Sequence, residues 1–182
     1  MFFKAYYALM WRMTIARILI IMLLLKTAPQ DLPYSFRLMA RVITLYFISG
    51  VIIQSNVVEP LVAINVMALN IVVLLSFSYT LLSLRGLKAR FVQTISALLG
   101  AGIIFNLLAW PLSSLIGMED ASDMMVALIA LLMLSMLSWE LLVTAHIYRN
   151  ALNLHMVNSI MLSFALFFIS MMLSQLFFPE TR

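Results

Sequence analysis

The residue whose type and position could do chemistry is Glu140, the one acidic residue deep inside a long apolar stretch of the chain. At 1.5 Å per residue it lies about 25 Å along a helix from Asp123, in the inner third of a bilayer core about 30 Å thick. A charge there costs free energy unless it is paired or protonated. Three roles stay open: a paired residue that helps helices associate, a proton- or cation-binding group, and a side chain that reaches the inner surface. Depth alone makes Tyr79, Thr80 and Arg85 its candidate partners.

Three asparagines, Asn65, Asn70 and Asn106, lie in the outer half of the apolar stretches that contain them. Amide groups in lipid need hydrogen-bond partners, and neighbouring helices supply them. The first interpretation is that these side chains hold helices together. The alternative is a polar substrate path between the helices. With Glu140 and its candidate partners, they form the candidate intramembrane polar site.

Other kinds of chemistry find little support in the sequence. The chain has no cysteine, which excludes disulfides, thiolate metal sites and a cysteine nucleophile. At 100° per residue His146 lies about 240° around its helix from Glu140, so these two residues form no dyad on one helix face. The two histidines match no zinc motif, and no phosphate-binding loop or nucleophile elbow is present. We therefore expect no catalytic residue, no metal, no cofactor and no enzymatic activity.

The composition indicates that lipid surrounds most of the chain. Of the 182 residues, 65% are hydrophobic and only 10% are charged, whereas soluble domains carry about 25% charged residues. The net charge of +4 is spread over short clusters between apolar runs rather than over one binding face. The expected partners are therefore membrane lipids and other membrane proteins or further copies of this chain, and not nucleic acid.

Five apolar stretches are long enough to cross a bilayer, and short connections with helix breakers separate them. The predicted spans are residues 38–58, 61–84, 91–118, 124–148 and 156–178. The fold class predicted is an all-α membrane protein, with five transmembrane helices in residues 37–182 preceded by a cytoplasmic amphipathic helix.

The basic residues predict how these spans are oriented. If the N-terminus is cytoplasmic, every lysine and arginine except Arg182 falls on the cytoplasmic side, including the cluster Arg85, Lys88 and Arg90 and the single Arg149. Such a bias is typical of inner-membrane topology. We expect a multi-pass protein of the cell inner membrane with a cytoplasmic N-terminus and a periplasmic C-terminus.

Residues 1–36 are predicted to form an interfacial amphipathic helix and a proline-containing linker. The longest uncharged run before residue 27 is too short to span, and Lys4, Arg12 and Lys26 share one arc of a helix, although Arg17 lies nearly opposite. The prediction is a helix on the cytoplasmic leaflet with its cations among the headgroups. A cleaved signal peptide and a sixth span, which would place the N-terminus outside, are the alternatives.

Within the linker, Asp31, Leu32, Pro33 and Tyr34 form a candidate surface-recognition element, with a plain connecting role as the alternative. Prolines 29 and 33 prevent a helix here, and Ser35 is predicted to cap the following one. This Asp-Leu-Pro element and the five-span plan resemble the Yip1-type membrane proteins, in which an acidic-Leu motif precedes or opens the membrane domain. Residues 90–100 are also similar to small bacterial inner-membrane proteins of this group.

The resemblance implies a five-helix membrane fold and does not imply an activity. Binding of Rab-type GTPases, which goes with the long soluble N-terminal part of the eukaryotic members, is not implied. The leading expectation is a Yip1-like, non-enzymatic scaffold or accessory subunit of a membrane complex, because Ser96 and Gly100, and likewise Ala97 and Ala101, offer small-residue faces for helix contacts. The alternative is a small transporter or channel subunit that uses Glu140 and the intramembrane asparagines.

Overall fold

The protein is a helical bundle whose helices lie close to the predicted spans. The computed structural model describes residues 15–116 and 123–179, and these ranges contain helices and no strand. A first helix, α1, is described over residues 15–23. The following helices are α2 (Phe36–Gln54), α3 (Pro60–Leu84), α4 (Phe91–Ile116), α5 (Asp123–Leu152) and α6 (Met156–Phe177). Helices α2 to α6 are long and apolar enough to cross a membrane, which confirms the predicted five-helix membrane fold.

Two helix ends differ from the predicted spans. Helix α2 ends at Gln54 rather than at residue 58, because the following amides tighten into turns: those of Asn56 and Val57 donate to carbonyls three residues back, at 3.1 and 2.9 Å. Helix α5 continues to Leu152, past residue 148, because a helix can extend beyond the lipid once its residues become polar. The predicted end of the third span at residue 118 lies outside the described residues.

Local sequence explains where the helices begin and end. Ser35 caps α2 as predicted, since its hydroxyl oxygen accepts from the Leu38 amide at 3.2 Å. Gly86 ends α3 in the left-handed conformation, with φ of 71°. The next amide, that of Leu87, donates to the Leu82 carbonyl at 2.7 Å, which closes the helix with a Schellman-type turn.

The five long helices form a closed ring. Going round the ring, α2 packs against α3, α3 against α6, α6 against α5, α5 against α4, and α4 against α2. One end of the ring contains Arg37, Arg85, Lys88, Arg90 and Arg149, and we call it the basic end. The ring therefore surrounds a central space that all five helices can line.

The described part of α1 packs lengthwise against α4 and α5. A Cβ atom on Gly100 would lie 2.7 Å from Leu19 Cδ2, so the glycine makes room for this side chain. The Trp139 indole nitrogen donates to the Leu23 carbonyl at 3.1 Å, and Met22 is fully buried. Gly100 is about 13 Å along α4 from its first residue, so α1 reaches well into the bundle.

The prediction of an amphipathic helix lying on the cytoplasmic surface stays a prediction, since the structure describes its residues only from 15 onwards. Residues 15–23 lie against the bundle, because the small-residue face of α4 forms a groove in which Leu19 is seated and because Met22 packs fully buried among residues of α4. Lys4 and Arg12, on which the predicted polar arc also rested, lie outside the described residues.

The small-residue face of α4 is occupied within the chain. Ser96, Ala97, Gly100 and Ala101 are all buried. On another side of α4, two residues after Gly100, a Cβ atom on Gly102 would lie 2.5 Å from the ring of Tyr46. The face that sequence assigned to helix association therefore packs α1 against α4, whereas Gly102 makes room for α2.

Candidate functional site

A cavity of about 410 Å³ lies inside the ring, and each of the helices α2 to α6 contributes to its lining. We call it the Glu140 cavity. Its carboxyl and carboxamide side chains are those of Glu140, Asn70, Gln54 and Gln175. Its hydroxyl side chains are those of Tyr46, Thr144, Ser163, Ser170 and Ser174. Such a concentration of polar groups is unusual between helices that are otherwise apolar. We therefore take the cavity as the candidate site.

Glu140 faces this cavity without a protein partner. Within the part of the chain that the structure describes, neither a hydrogen bond nor an ion pair holds its carboxylate. Tyr46 lies close enough to interact with it electrostatically but offers no positive charge. A carboxylate enclosed by apolar helices needs a proton or a positively charged partner, so Glu140 is available to a ligand.

Asn70 supplies a second free acceptor in the same cavity. Its side-chain oxygen is buried and has no hydrogen-bond partner among the described residues. A buried acceptor without a partner costs about 1–3 kcal/mol, so such groups are uncommon unless something else satisfies them. The cavity thus contains two acceptors that the protein itself leaves unpaired.

The cavity extends along the bundle towards the end opposite the basic end. Along α6 it runs from Ser163 to Gln175, which is about 18 Å at 1.5 Å per residue. Gln54 is the last residue of α2, and Gln175 lies in the last turn of α6. The two glutamine amides therefore lie at the mouth of the cavity, and Glu140 lies near its inner limit.

Towards the basic end, a buried contact closes the space below the cavity. The hydroxyls of Ser78 and Tyr148 are hydrogen-bonded at 2.8 Å, and both residues are fully buried. Phe77 packs edge-on against the Tyr148 ring, with centroids 6.1 Å apart. At this level the polar groups of α3 and α5 satisfy each other.

A chain segment then covers the basic end of the bundle, and we call residues 27–32 the strap. Its backbone carbonyls accept from side chains of α4 and α5. The Gln93 amide donates to the carbonyls of Gln30 and Leu32, at 3.0 and 2.6 Å, and the His146 ring Nε2 donates to the Thr27 carbonyl at 2.9 Å. Side chains of α4 and α5 therefore hold the strap in place through hydrogen bonds to its backbone.

The candidate surface-recognition element is partly built into the strap. Leu32 is buried with 2% exposure, and the Asp31 carboxylate accepts from the Ala28 amide at 2.8 Å. Pro33 is half-buried, whereas Tyr34 is exposed and packs edge-on against Phe36. The leucine therefore anchors the segment to the bundle, and Asp31 and Tyr34 are the exposed members of the element that a partner could reach.

Several predicted members of the polar site lie away from Glu140. Tyr79 is half-exposed, packs edge-on against Phe91 and has the Lys88 ammonium 5.9 Å from its ring centroid. Thr80 and Arg85 are also exposed, and none of these three predicted partners lines the cavity. These partners were predicted from their depth in the membrane, and depth does not determine which side of a helix faces the cavity.

The three asparagines have three different positions. Asn65 is exposed, Asn70 lines the cavity, and the Asn106 amide donates to the Ser49 hydroxyl at 3.0 Å. The structure thus brings Asn70 together with Glu140, assigns Asn106 to a helix contact, and directs Asn65 away from the ring.

The cavity residues that sequence reasoning missed include Tyr46, Thr144 and the serines of α6. A signal for the serines was present, because Ser163, Ser170 and Ser174 are spaced by seven and four residues and so share one helix face. On an otherwise apolar helix such a stripe is typical of a polar interior. Tyr46 and Thr144 have no comparable pattern.

Within residues 15–116 and 123–179, no group of three or more His, Cys, Asp and Glu residues could hold a metal ion. Comparisons of the chain with family models, with curated proteins and with solved structures found no match. The cavity is therefore the feature of the molecule from which a function can be inferred.

Proposed function

We propose that this chain is a small transporter or channel subunit that binds a polar or charged solute in the Glu140 cavity. The observation that supports this role is a cavity inside the helix ring with two unpaired acceptors, Glu140 and Asn70. Transporters place their binding sites near the bilayer midplane, where polar groups face a shared cavity rather than lipid. Gln30 Oε1 and Ser83 Oγ are also buried without partners but lie outside the cavity, so the support comes from Glu140 and Asn70 lining the same cavity.

The arrangement of the two ends also supports this role. The mouth with Gln54 and Gln175 offers amides that can replace water around an entering solute, whereas the Tyr148–Ser78 contact and the strap close the basic end. On the bias of lysine and arginine we assign the basic end to the cytoplasm, and hence the C-terminus to the periplasm, of an inner membrane. The cavity would then open towards the periplasm.

Access of water to the cavity can be tested with a single thiol, since the chain has no native cysteine. In reconstituted vesicles, Ser170→Cys places a thiol in the cavity and should react with a water-soluble methanethiosulfonate reagent. The matched control is Ser135→Cys, since Ser135 is exposed on the outside of the bundle and should face lipid. Equal, negligible labelling of both variants would contradict an aqueous cavity.

Transport itself is tested by uptake of four labelled probes: rubidium, methylammonium, glycerol and glycolate. Vesicles with the parent protein should take up at least one of them faster than empty vesicles. Glu140→Gln should reduce that uptake about tenfold or more, whereas Glu59→Gln, a change at an exposed acid outside the cavity, should not. Uptake equal to that of empty vesicles for all four probes would overturn the proposal.

A scaffold or Yip1-like accessory subunit is the second candidate, and Arg17 is the observation that favours it. This arginine is exposed on α1, although α1 packs against α4 as far along as Gly100. A cation in such a position needs a headgroup or an acidic partner. Purification in mild detergent that returned this chain alone, together with a deletion without envelope phenotype, would count against a scaffold.

A further inference from the structure

We propose that the ligand of the Glu140 cavity is a small organic ammonium ion, with the Glu140 carboxylate as its counter-charge and the Asn70 side-chain oxygen as a hydrogen-bond acceptor. This inference rests on the proposed function and names the class of its solute.

The charge of the lining selects the sign of the ligand. Among the described residues that line the cavity, Glu140 is acidic and none is basic. An anion would be repelled by an ionised Glu140, and a neutral solute would leave the ionised carboxylate without a counter-charge, a cost that could otherwise be removed only by protonation. A cation removes that cost and satisfies Glu140 directly.

The unpaired atoms select a ligand with several donors. An ammonium group has up to three N–H donors and no acceptor. The carboxylate of Glu140 and the free oxygen of Asn70 are both acceptors, and hydroxyls such as those of Thr144 and Ser170 can accept further bonds. The cavity therefore offers an ammonium group the acceptors that it needs.

The size and the apolar part of the lining favour an organic ion over a metal ion. A volume of about 410 Å³ lies in the range of about 300–1,000 Å³ that small-molecule pockets occupy, and far above the roughly 30 Å³ of one water molecule. Leu99, Leu137 and Leu166 can contact a short hydrocarbon body. The rings of Tyr46 and Phe167 can face a positive charge through cation–π contacts.

The test compares three probes with one carbon skeleton: butylammonium, butanol and butyrate. Each is titrated into the purified protein in detergent, and binding is followed by calorimetry. We expect butylammonium to bind measurably and the neutral and anionic probes to bind at least about tenfold more weakly. Equal binding of butanol, or tighter binding of butyrate, would overturn the assignment. If sodium chloride abolished butylammonium binding at constant ionic strength, the cavity would be a metal-ion site instead.

Variants link the effect to Glu140. Glu140→Gln should weaken butylammonium binding about tenfold or more, and the control Glu59→Gln should not. If Glu140→Gln does not yield folded protein, the three probes on the parent protein still decide the ligand class. Failure here differs from failure of the proposed function: uptake of glycerol but not of methylammonium, with a reactive Ser170→Cys thiol, would retain the transporter and reject the ammonium ligand.

Discussion

The Glu140 cavity and the strap are both polar regions inside an apolar bundle, but they differ in how their acceptors are paired. The strap contains one buried acceptor without a partner among the described residues, the Gln30 side-chain oxygen, whereas its backbone carbonyls have donors. In the strap, the carbonyls of Gln30 and Leu32 accept from Gln93, and that of Thr27 accepts from His146. In the cavity, Glu140 and Asn70 keep free acceptors within the described structure. Paired polar groups stabilise a fold, whereas unpaired ones reduce its stability, and those that line a cavity are available to a ligand. Substitutions should therefore lower stability in the strap and affect binding in the cavity.

The largest loss of stability is expected for Gln93→Leu. This change removes both hydrogen bonds to the strap and leaves the carbonyls of Gln30 and Leu32 without their donor. We expect the free energy of unfolding to fall by about 2 kcal/mol. Chemical unfolding in detergent micelles measures it.

The matched control is Gln175→Leu, the same change at the mouth of the cavity, where the side chain is exposed. It should alter stability by less than about 0.5 kcal/mol. Equal losses for the two variants would remove the distinction between the strap and the cavity.

A smaller loss is expected for Tyr148→Phe, at the boundary between the two regions. The variant leaves the buried Ser78 hydroxyl without its partner, at a cost of about 1 kcal/mol. Adding Ser78→Ala should cost less than the two single changes together, because the second change removes the unpaired group. Strict additivity in this double-mutant cycle would show that the contact does not stabilise the closed end.

Sequence was sufficient for the features that depend on the chain locally. The apolar run lengths gave five spans, and Ser35 was recognised as a helix cap. Apart from the serine stripe of α6, the direction of side chains around the helices was not predictable, because helices that are apolar on all sides carry no amphipathic signal. Tyr79 and Thr80 were thus placed near Glu140 by depth, although they are exposed outside the cavity.

The position of α1 shows a second kind of limit. It depends on Gly100, distant in sequence, which leaves space for Leu19, and on Trp139, whose indole binds the Leu23 carbonyl. The arrangement of charges along residues 1–26 gives no information about either contact. A prediction from that arrangement alone therefore favoured the membrane surface.

The smallest expected effect, and the sharpest test of the comparison, concerns two asparagines that sequence could not tell apart. Asn106→Leu removes the hydrogen bond to Ser49 and should lower the free energy of unfolding by about 1 kcal/mol. Asn70→Leu removes an acceptor that has no partner, so stability should stay unchanged or rise by up to about 1 kcal/mol. Butylammonium binding should weaken for Asn70→Leu and remain for Asn106→Leu. If Asn70→Leu destabilised the protein and left binding intact, Asn70 would belong to the structural group, and the cavity would lose one of its two free acceptors.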